Sequence, residues 1–226
     1  MKDYLEKIHN SSERVNLVWI TPGAEEIMSF CARVSSPQNQ LDFDTSTKLL
    51  KYCIKNGHWS VFEQANFCVQ IVTGRDISPQ ILRHKSFCFQ EFSQRYAKAS
   101  SFQKRSARRQ DTKNRQNSID NLPSDINIWF DNAQEENWNN SFALYEKALT
   151  NGVAKECARA LLPLNTTTKL YMNGTIRSWI HYLQLRCGNG TQLEHQEIAN
   201  DIKKLFIEAL PNISAALDWK LEDGGE

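Results

Sequence analysis

Asn66-Phe67-Cys68-Val69-Gln70-Ile71-Val72 decides the fold. Phe67, Val69 and Ile71 recur at every second position, the spacing that sends side chains to one face of a β-strand. The stretch reads as the central strand. Thr73-Gly74-Arg75 breaks it. Asp76 is then expected to cap a short helix that tolerates Pro79 in its first turn and carries Gln80, Leu82 and Arg83 onward. Upstream, Arg14 to Ile20 alternates too, with Val15, Leu17 and Trp19 on one face, and Thr21-Pro22-Gly23 ends it. Ala24 to Val34 follows helical spacing through Ile27, Phe30, Cys31 and Val34. A second helix is expected from Asp44 as N-cap, carrying Leu49, Leu50 and Cys53, with Gly57 just past its end.

Downstream of the central strand, Lys98 to Asn117 is charged and poor in apolar residues, so it reads as a loop. Trp138, Phe142, Tyr145 and Leu149 mark a long amphipathic helix closed by Asn151-Gly152. Helices are expected around Lys155 to Leu161, around Ile176 to Arg186, and through Ile198, Ile202, Leu205 and Ala209. Leu170 and Tyr171 suit a short strand. Strands and helices mix without a βαβ rhythm, which gives the α+β class: a mixed or antiparallel sheet packed with several long helices, in a single domain over 1–226. The chain shows no internal repeat, no Gly-x-Gly-x-x-Gly fingerprint and no Gly-Lys-Ser/Thr phosphate loop.

The net charge of +1 creates no global field for a polyanion or a membrane surface. Met1-Lys2-Asp3-Tyr4 does not begin an apolar leader, and no apolar run is long enough to cross a bilayer, so a cytoplasmic protein is expected. The six cysteines form no Cys-x-x-Cys pair, so the sequence predicts free thiols and no metal site.

The densest polar stretch is Arg83-His84-Lys85-Ser86-Phe87-Cys88-Phe89-Gln90-Glu91-Phe92-Ser93-Gln94-Arg95-Tyr96. Cations, an imidazole, a carboxylate and hydroxyls alternate with aromatic rings. Cationic forks beside flat platforms suit a ligand with phosphates and rings. A surface loop with ion pairs has the same composition.

Order and spacing add a resemblance. Arg83-His84-Lys85, seven residues, then Ser93 resembles the Arg-His-Arg, seven residues, Ser signature of flavin-dependent thymidylate synthases. Glu91-Phe92-Ser93-Gln94-Arg95-Tyr96 is similar to that family's Glu-x-Ser-x-Arg-Tyr. Ala32-Arg33-Val34-Ser35 and Gly57-His58-x-Ser60-x-Phe62-Glu63 resemble two upstream blocks. Ala158-Arg159-x-x-Leu162-Pro163, Arg177-Ser178 and Leu185-Arg186 resemble blocks downstream. Lys85 stands where arginine is usual, Gln90 and Thr175 where asparagine occurs, and Gly190 where some members carry histidine.

The resemblance implies that family's fold and reaction: dUMP becomes dTMP with 5,10-methylenetetrahydrofolate as carbon donor and NADPH-reduced FAD as reductant, in a homotetramer with active sites shared between subunits. It places Gln80, Arg83, Glu91, Phe92, Ser93, Gln94 and Arg95 around dUMP, with Arg159 reaching the phosphate from a neighbouring subunit. It makes Arg186 the catalytic group, a permanent cation beside uracil N3 and O2. For FAD it implies Ser35, His58, Ser60, Glu63, Arg83, His84, Lys85, Gln90, Glu91, Thr175, Arg177, His181 and Leu185. Arg177, His181 and Leu185, four residues apart, share one helix face.

Cys88 falls where the resemblance places no catalytic group, and Ser93 needs a base to become a nucleophile; the family chemistry needs neither. His9 reads as surface, His195 as structural, and Glu194 and Glu197 as a solvated helix face, while Arg33 suits a pair with Asp42 or Asp44. The basic run from Lys104 to Arg115 is open to two main readings: a solvated loop, or an active-site loop that attracts anionic folate or NADPH. Without interleaved aromatics it is a poor nucleic-acid platform. A flavin oxidoreductase without methyl transfer and a nucleic-acid-binding module are the competing functional classes.

Overall fold

The computed structural model describes residues 1–221. In chain order the elements are α1 (Lys2–His9), β1 (Val15–Ile20), α2 (Ala24–Ala32), α3 (Ser46–Lys55), β2 (Asn66–Gly74), α4 (Ser78–Leu82), β3 (Cys88–Glu91), β4 (Arg109–Gln110), β5 (Ser118–Ile119), α5 (Ser124–Thr150), α6 (Lys155–Ala158), β6 (Thr167–Thr175), α7 (Ile176–Arg186), α8 (Leu193–Ala209) and α9 (Pro211–Ala216). The main sheet runs β1-β2-β6-β3, and β4 and β5 form a small hairpin of their own. The α+β expectation stands, and β2 lies inside the sheet. Two compact units divide the chain. The first holds Met1–Ile71, His84–Phe89 and the segment from Tyr171; the second holds Val72–Arg83 and Gln90–Leu170.

In the first unit Phe67, Val69 and Ile71 are fully buried on one side of β2, as alternation predicts. Cys68 and Gln70 on the other side are buried as well, so both faces are covered. α7 lays Trp179 against Phe67, and the indole Nε1 donates to the Phe67 carbonyl at 2.7 Å, satisfying a donor that burial would otherwise strand. Trp179, Tyr182, Ile198, Ile202, Phe206 and Ile213 complete this core. Burying each such side chain contributes about 1.5–3 kcal/mol. Gly57, at φ 70°, closes α3 with His58 N–H donating to the Cys53 carbonyl at 2.8 Å and Gly57 N–H to Ile54 at 3.2 Å, a glycine C-cap of the expected kind.

Several expectations fail here. Trp19 is 40 % exposed, because a bulge shifts the register between Leu17 and Trp19 and reverses the parity of the strand end. On α2 the buried side chains are Ala24, Glu25, Met28 and Ser29, whereas Ile27 and Phe30 face outward, as does Val34 in the turn beyond. Glu25 is drawn in because its Oε1 accepts the Ile213 N–H at 2.8 Å at the start of α9, while Asn212 donates to Oε2. Asp44 is not a cap: α3 begins after Thr45, and Asp42 holds the turn by accepting from Thr45 Oγ1 and from the Asp44 N–H. Arg33 donates to Thr45 Oγ1 at 2.7 Å and reaches Asp42 only through space. α1 and α9 were not expected. Glu197 is not merely solvated, since it accepts from Arg14 at 2.6 Å, as does Asp201 beside it. Glu194 is buried, with one oxygen accepting from Gln192.

In the second unit α5 runs 27 residues and stacks Trp138 on Phe102 at 5.3 Å and on Phe142 at 5.0 Å. Gly152, at φ 82°, ends it. Asp76 does not cap α4; Arg105 grips both its oxygens at 2.7 Å in a two-pronged pair that is largely buried. The basic run is therefore anchored at Arg105, and Gln134 accepts from the Arg105 N–H and donates to its carbonyl. β6 is nine residues long where the sequence suggested a short strand.

Candidate active site

In the second unit Glu91, at the end of β3, is held by protein donors. Ser78 Oγ donates to its Oε1 at 2.6 Å and Thr168 Oγ1 at 2.9 Å, with the Arg75 guanidinium 3.6 Å away. The Phe92 N–H donates to the Lys169 carbonyl, which keeps the strand edge straight up to Ser93. Ser93 then turns the chain: its carbonyl accepts from Tyr96 and Ala97, and its Oγ from the Arg95 N–H. This turn tucks Gln94 inward, 5 % exposed, with its Nε2 lacking a protein partner. Gln94 lines a cavity of about 470 Å³ with Arg75, Glu156, Arg159 and Thr166. Arg95 pairs with Glu156 at 3.0 Å on the surface, and Arg159 Nε donates to the Glu156 carbonyl. A buried amide donor without a partner costs about 1–3 kcal/mol. In a cavity that two guanidinium groups also line, it suits an anion that completes the bonding. Gln80 lies on α4 and Arg83 at its C-cap; Arg83 and Gln90 are exposed.

The first unit holds a different set. His58 precedes a 3-10 turn over Trp59–Glu63, and His58 and Ser60 are exposed on it. Glu63 accepts from Arg177 Nη1 at 2.7 Å, and the Trp59 ring lies 4.7 Å from His181. Arg177, His181 and Leu185 share a face of α7 that leaves Leu185 59 % exposed. Thr175 is the N-cap of that helix, accepting from the Ser178 N–H at 3.3 Å. Lys85 is exposed, and so is Ser35, in the turn after α2. Uncovered Leu185 supplies apolar surface, and Arg177, Lys85, His58 and Ser60 supply cations and donors, so the set fits the chemistry of a flat ring joined to a pyrophosphate. Phe87 anchors the motif by packing on Trp179 at 4.8 Å, and a Cβ on Gly174 would collide with its ring.

Arg186 closes α7. Its Nε donates to His84 Nε2 at 2.9 Å. An arginine N–H can only donate, so His84 is neutral there with its proton on Nδ1. Burial, reinforced by the Arg186 charge, lowers the His84 pKa. Behind His84 stand the Tyr182 ring, edge-on at 4.9 Å, and His195 at 6.3 Å. Burial, then Arg186, then His84 depress the His195 pKa to about 4.

The family described as Thymidylate synthase complementing protein matches residues 16–212. The chain belongs to this family. The flavin-dependent thymidylate synthase of a Synechocystis species is 52% identical over 195 residues, 86% of this chain and 90% of that protein. A probable flavin-dependent thymidylate synthase of Paramecium bursaria Chlorella virus 1 is 53% identical over 197 residues, covering 87% and 91%. Among solved structures, the UMP/dUMP methylase PolB from Streptomyces cacaoi, bound with 5-Br dUMP, superposes with a TM-score of 0.81 at 22% identity over 90% of this chain and 94% of that one, a likeness of fold. No described helix is long and apolar enough to cross a membrane.

For this member of the Thymidylate synthase complementing protein family, sequence reasoning passed over Arg75, Trp59, Tyr182 and Glu156. Trp59 sits inside the Gly57 to Glu63 block and carried a readable signal. Arg75 sits in the break after β2 and reaches Glu91 only through the fold, so no local pattern marks it. Cys88 is an exposed free thiol on β3.

Proposed function

We propose that this chain is a flavin-dependent thymidylate synthase that methylates dUMP to dTMP, with 5,10-methylenetetrahydrofolate as carbon donor and NADPH as the source of electrons. Family membership and relatives above 50% identity support the reaction class. The observation that carries the substrate is the buried Gln94 Nε2, a donor without a protein partner, in a cavity that Arg75 also lines. It suits an anion such as a phosphate, for which the neighbouring Ser93 and Arg95 would supply further donors. The backbone at Glu91 and Phe92 borders the base.

His58, Ser60, Glu63, His84, Lys85, Thr175, Arg177, His181 and Leu185 would hold FAD, together with Ser35, Arg83, Gln90 and Glu91. Bound flavin supplies the reducing equivalents that turn the transferred methylene into a methyl group. Arg186 would steady negative charge at uracil N3 and O2 as C5 becomes nucleophilic. Its own proton stays in place at every working pH. Exposed apolar side chains on α2 (Ile27 and Phe30) and in the turn after it (Val34) support assembly with further copies, as a homotetramer in which Arg159 serves a neighbour's dUMP. We place the enzyme in the cytoplasm, where these soluble co-substrates are made.

The test is direct. Purified protein, reconstituted with FAD if needed, should show a flavin spectrum and form dTMP from dUMP, methylenetetrahydrofolate and NADPH. NADPH oxidation without dTMP would make it an oxidoreductase of another kind and reject the proposal.

A further inference from the structure

We infer that Tyr182 and His195 are positioning residues for Arg186, acting as a buried strut that sets the tautomer and angle of His84. The inference rests on the catalytic reading of Arg186 given above. Tyr182 lies four residues before Arg186 on α7, so both project from the same side of the helix. The tyrosine hydroxyl and His195 Nε2 are 3.0 Å apart in a fully dry setting, Tyr182 being 2 % and His195 0 % exposed. That bond leaves the phenol no freedom to swing. The fixed ring then meets the His84 imidazole edge-on at 4.9 Å, and His195 closes the space behind at 6.3 Å. His84 is thereby turned so that the lone pair of Nε2 meets Arg186 Nε–H at 2.9 Å.

An imidazole has two tautomers, and only the one with Nδ1–H can accept from Arg186 at Nε2. A loose His84 would flip or take the other tautomer, presenting N–H to N–H and pushing the guanidinium away. The Tyr182–His195 pair removes that freedom. His195 Nδ1 has no partner in the protein, so the residue spends a buried nitrogen to keep this arrangement. A histidine needed only to fill space would be replaced at less cost by an apolar side chain. The bond to Tyr182 is what the histidine adds.

Three variants test the strut: Tyr182→Phe, which deletes one oxygen; His195→Leu, which keeps bulk without a polar atom; and His195→Gln, whose amide still meets the phenol. Tyr182→Phe and His195→Leu should each lower kcat for dTMP about ten-fold, the scale of a small misplacement of a catalytic group. KM for dUMP should stay within about two-fold, because the cavity beside Gln94 is untouched. The Tyr182→Phe/His195→Leu double variant should be no slower than the slower single variant, since both cut one strut. His195→Gln should recover most of kcat. Independently of turnover, ¹⁵N NMR of flavin-free protein should show His84 as a single Nδ1–H tautomer in the wild type and as mixed tautomers in Tyr182→Phe. Unchanged kcat, additive losses, or a single His84 tautomer in Tyr182→Phe would overturn the inference. If His195→Leu does not fold, Tyr182→Phe decides. If the wild type forms no dTMP, the functional reading falls, and the NMR arm still decides the strut.

Discussion

Replacing His195 with glutamine should flatten the acid side of the stability curve. In the unfolded chain the imidazole titrates near 6.5. In the folded chain burial, with Arg186 and His84 close by, depresses it to about 4. The unfolded state therefore takes up the proton first, and stability falls as pH drops from about 6.5 toward 4. By pH 5 the single site costs about 2 kcal/mol relative to pH 7, and the whole gap amounts to about 3 kcal/mol. Glutamine cannot titrate and keeps a hydrogen bond to Tyr182. Urea unfolding at pH 7 and pH 5, at one fixed protein concentration, measures the difference. The wild type should lose about 2 kcal/mol more than His195→Gln over that interval. Groups common to both proteins and remote from position 195, such as Glu25 with its raised pKa, cancel in the comparison. Equal losses in the two proteins would refute the reasoning.

Asp76→Ala strands the Arg105 guanidinium, and because the pair is only partly sealed from water the cost should be about 2–3 kcal/mol. It should also speed proteolysis of the 104–117 loop, and further truncation to Asp76→Ala/Arg105→Ala should recover part of the loss. Arg95→Ala should weaken dUMP binding in a titration with little effect on flavin content, because Arg95 makes its ion pair with the surface Glu156. Arg186→Ala should abolish dTMP formation while circular dichroism and the urea midpoint stay near wild type. Reversing the charges of Arg108 and Arg109 should raise KM for methylenetetrahydrofolate or NADPH; unchanged values for both would make the loop a solvated one.

Where side chains seek cover from their own strand or helix, the sequence was legible. β2 is the clearest case, since Phe67, Val69 and Ile71 alternate and are all buried. α7 appears over the expected residues, Ile176–Arg186. α2 shows the limit. Its apolar spacing marks Ile27, Phe30 and Val34, yet those face outward and Glu25 is pulled in by the start of α9, a partner nearly two hundred positions away in the chain. Periodicity reports which residues want burial, not what will bury them. Trp19 fails for another reason, because one extra residue in a bulge inverts parity and leaves no trace in composition. Asp44 and Asp76 were credible caps by residue type, but Asp42 and Arg105 competed for their positions.

The motif segment could be located without coordinates, and the cavity beside Gln94 could not. Its walls come from Arg75, Arg159 and Thr166, which only the fold gathers. Likewise, the sequence places Arg186 at a helix end, but nothing local says that His84, a hundred residues earlier, accepts its hydrogen bond. His195 read as structural; its contact with Tyr182 behind His84 gives that structure a purpose.

The central claim is that arginines far apart in the chain serve one nucleotide held against a flavin. Titrating dUMP into the flavin-loaded protein while following the flavin absorption band tests it most directly. The account predicts a saturable spectral change that needs more dUMP in Arg95→Ala and is altered in shape in Arg186→Ala. A protein that retains no flavin, or a flavin band that dUMP leaves untouched at saturating concentration, would contradict it.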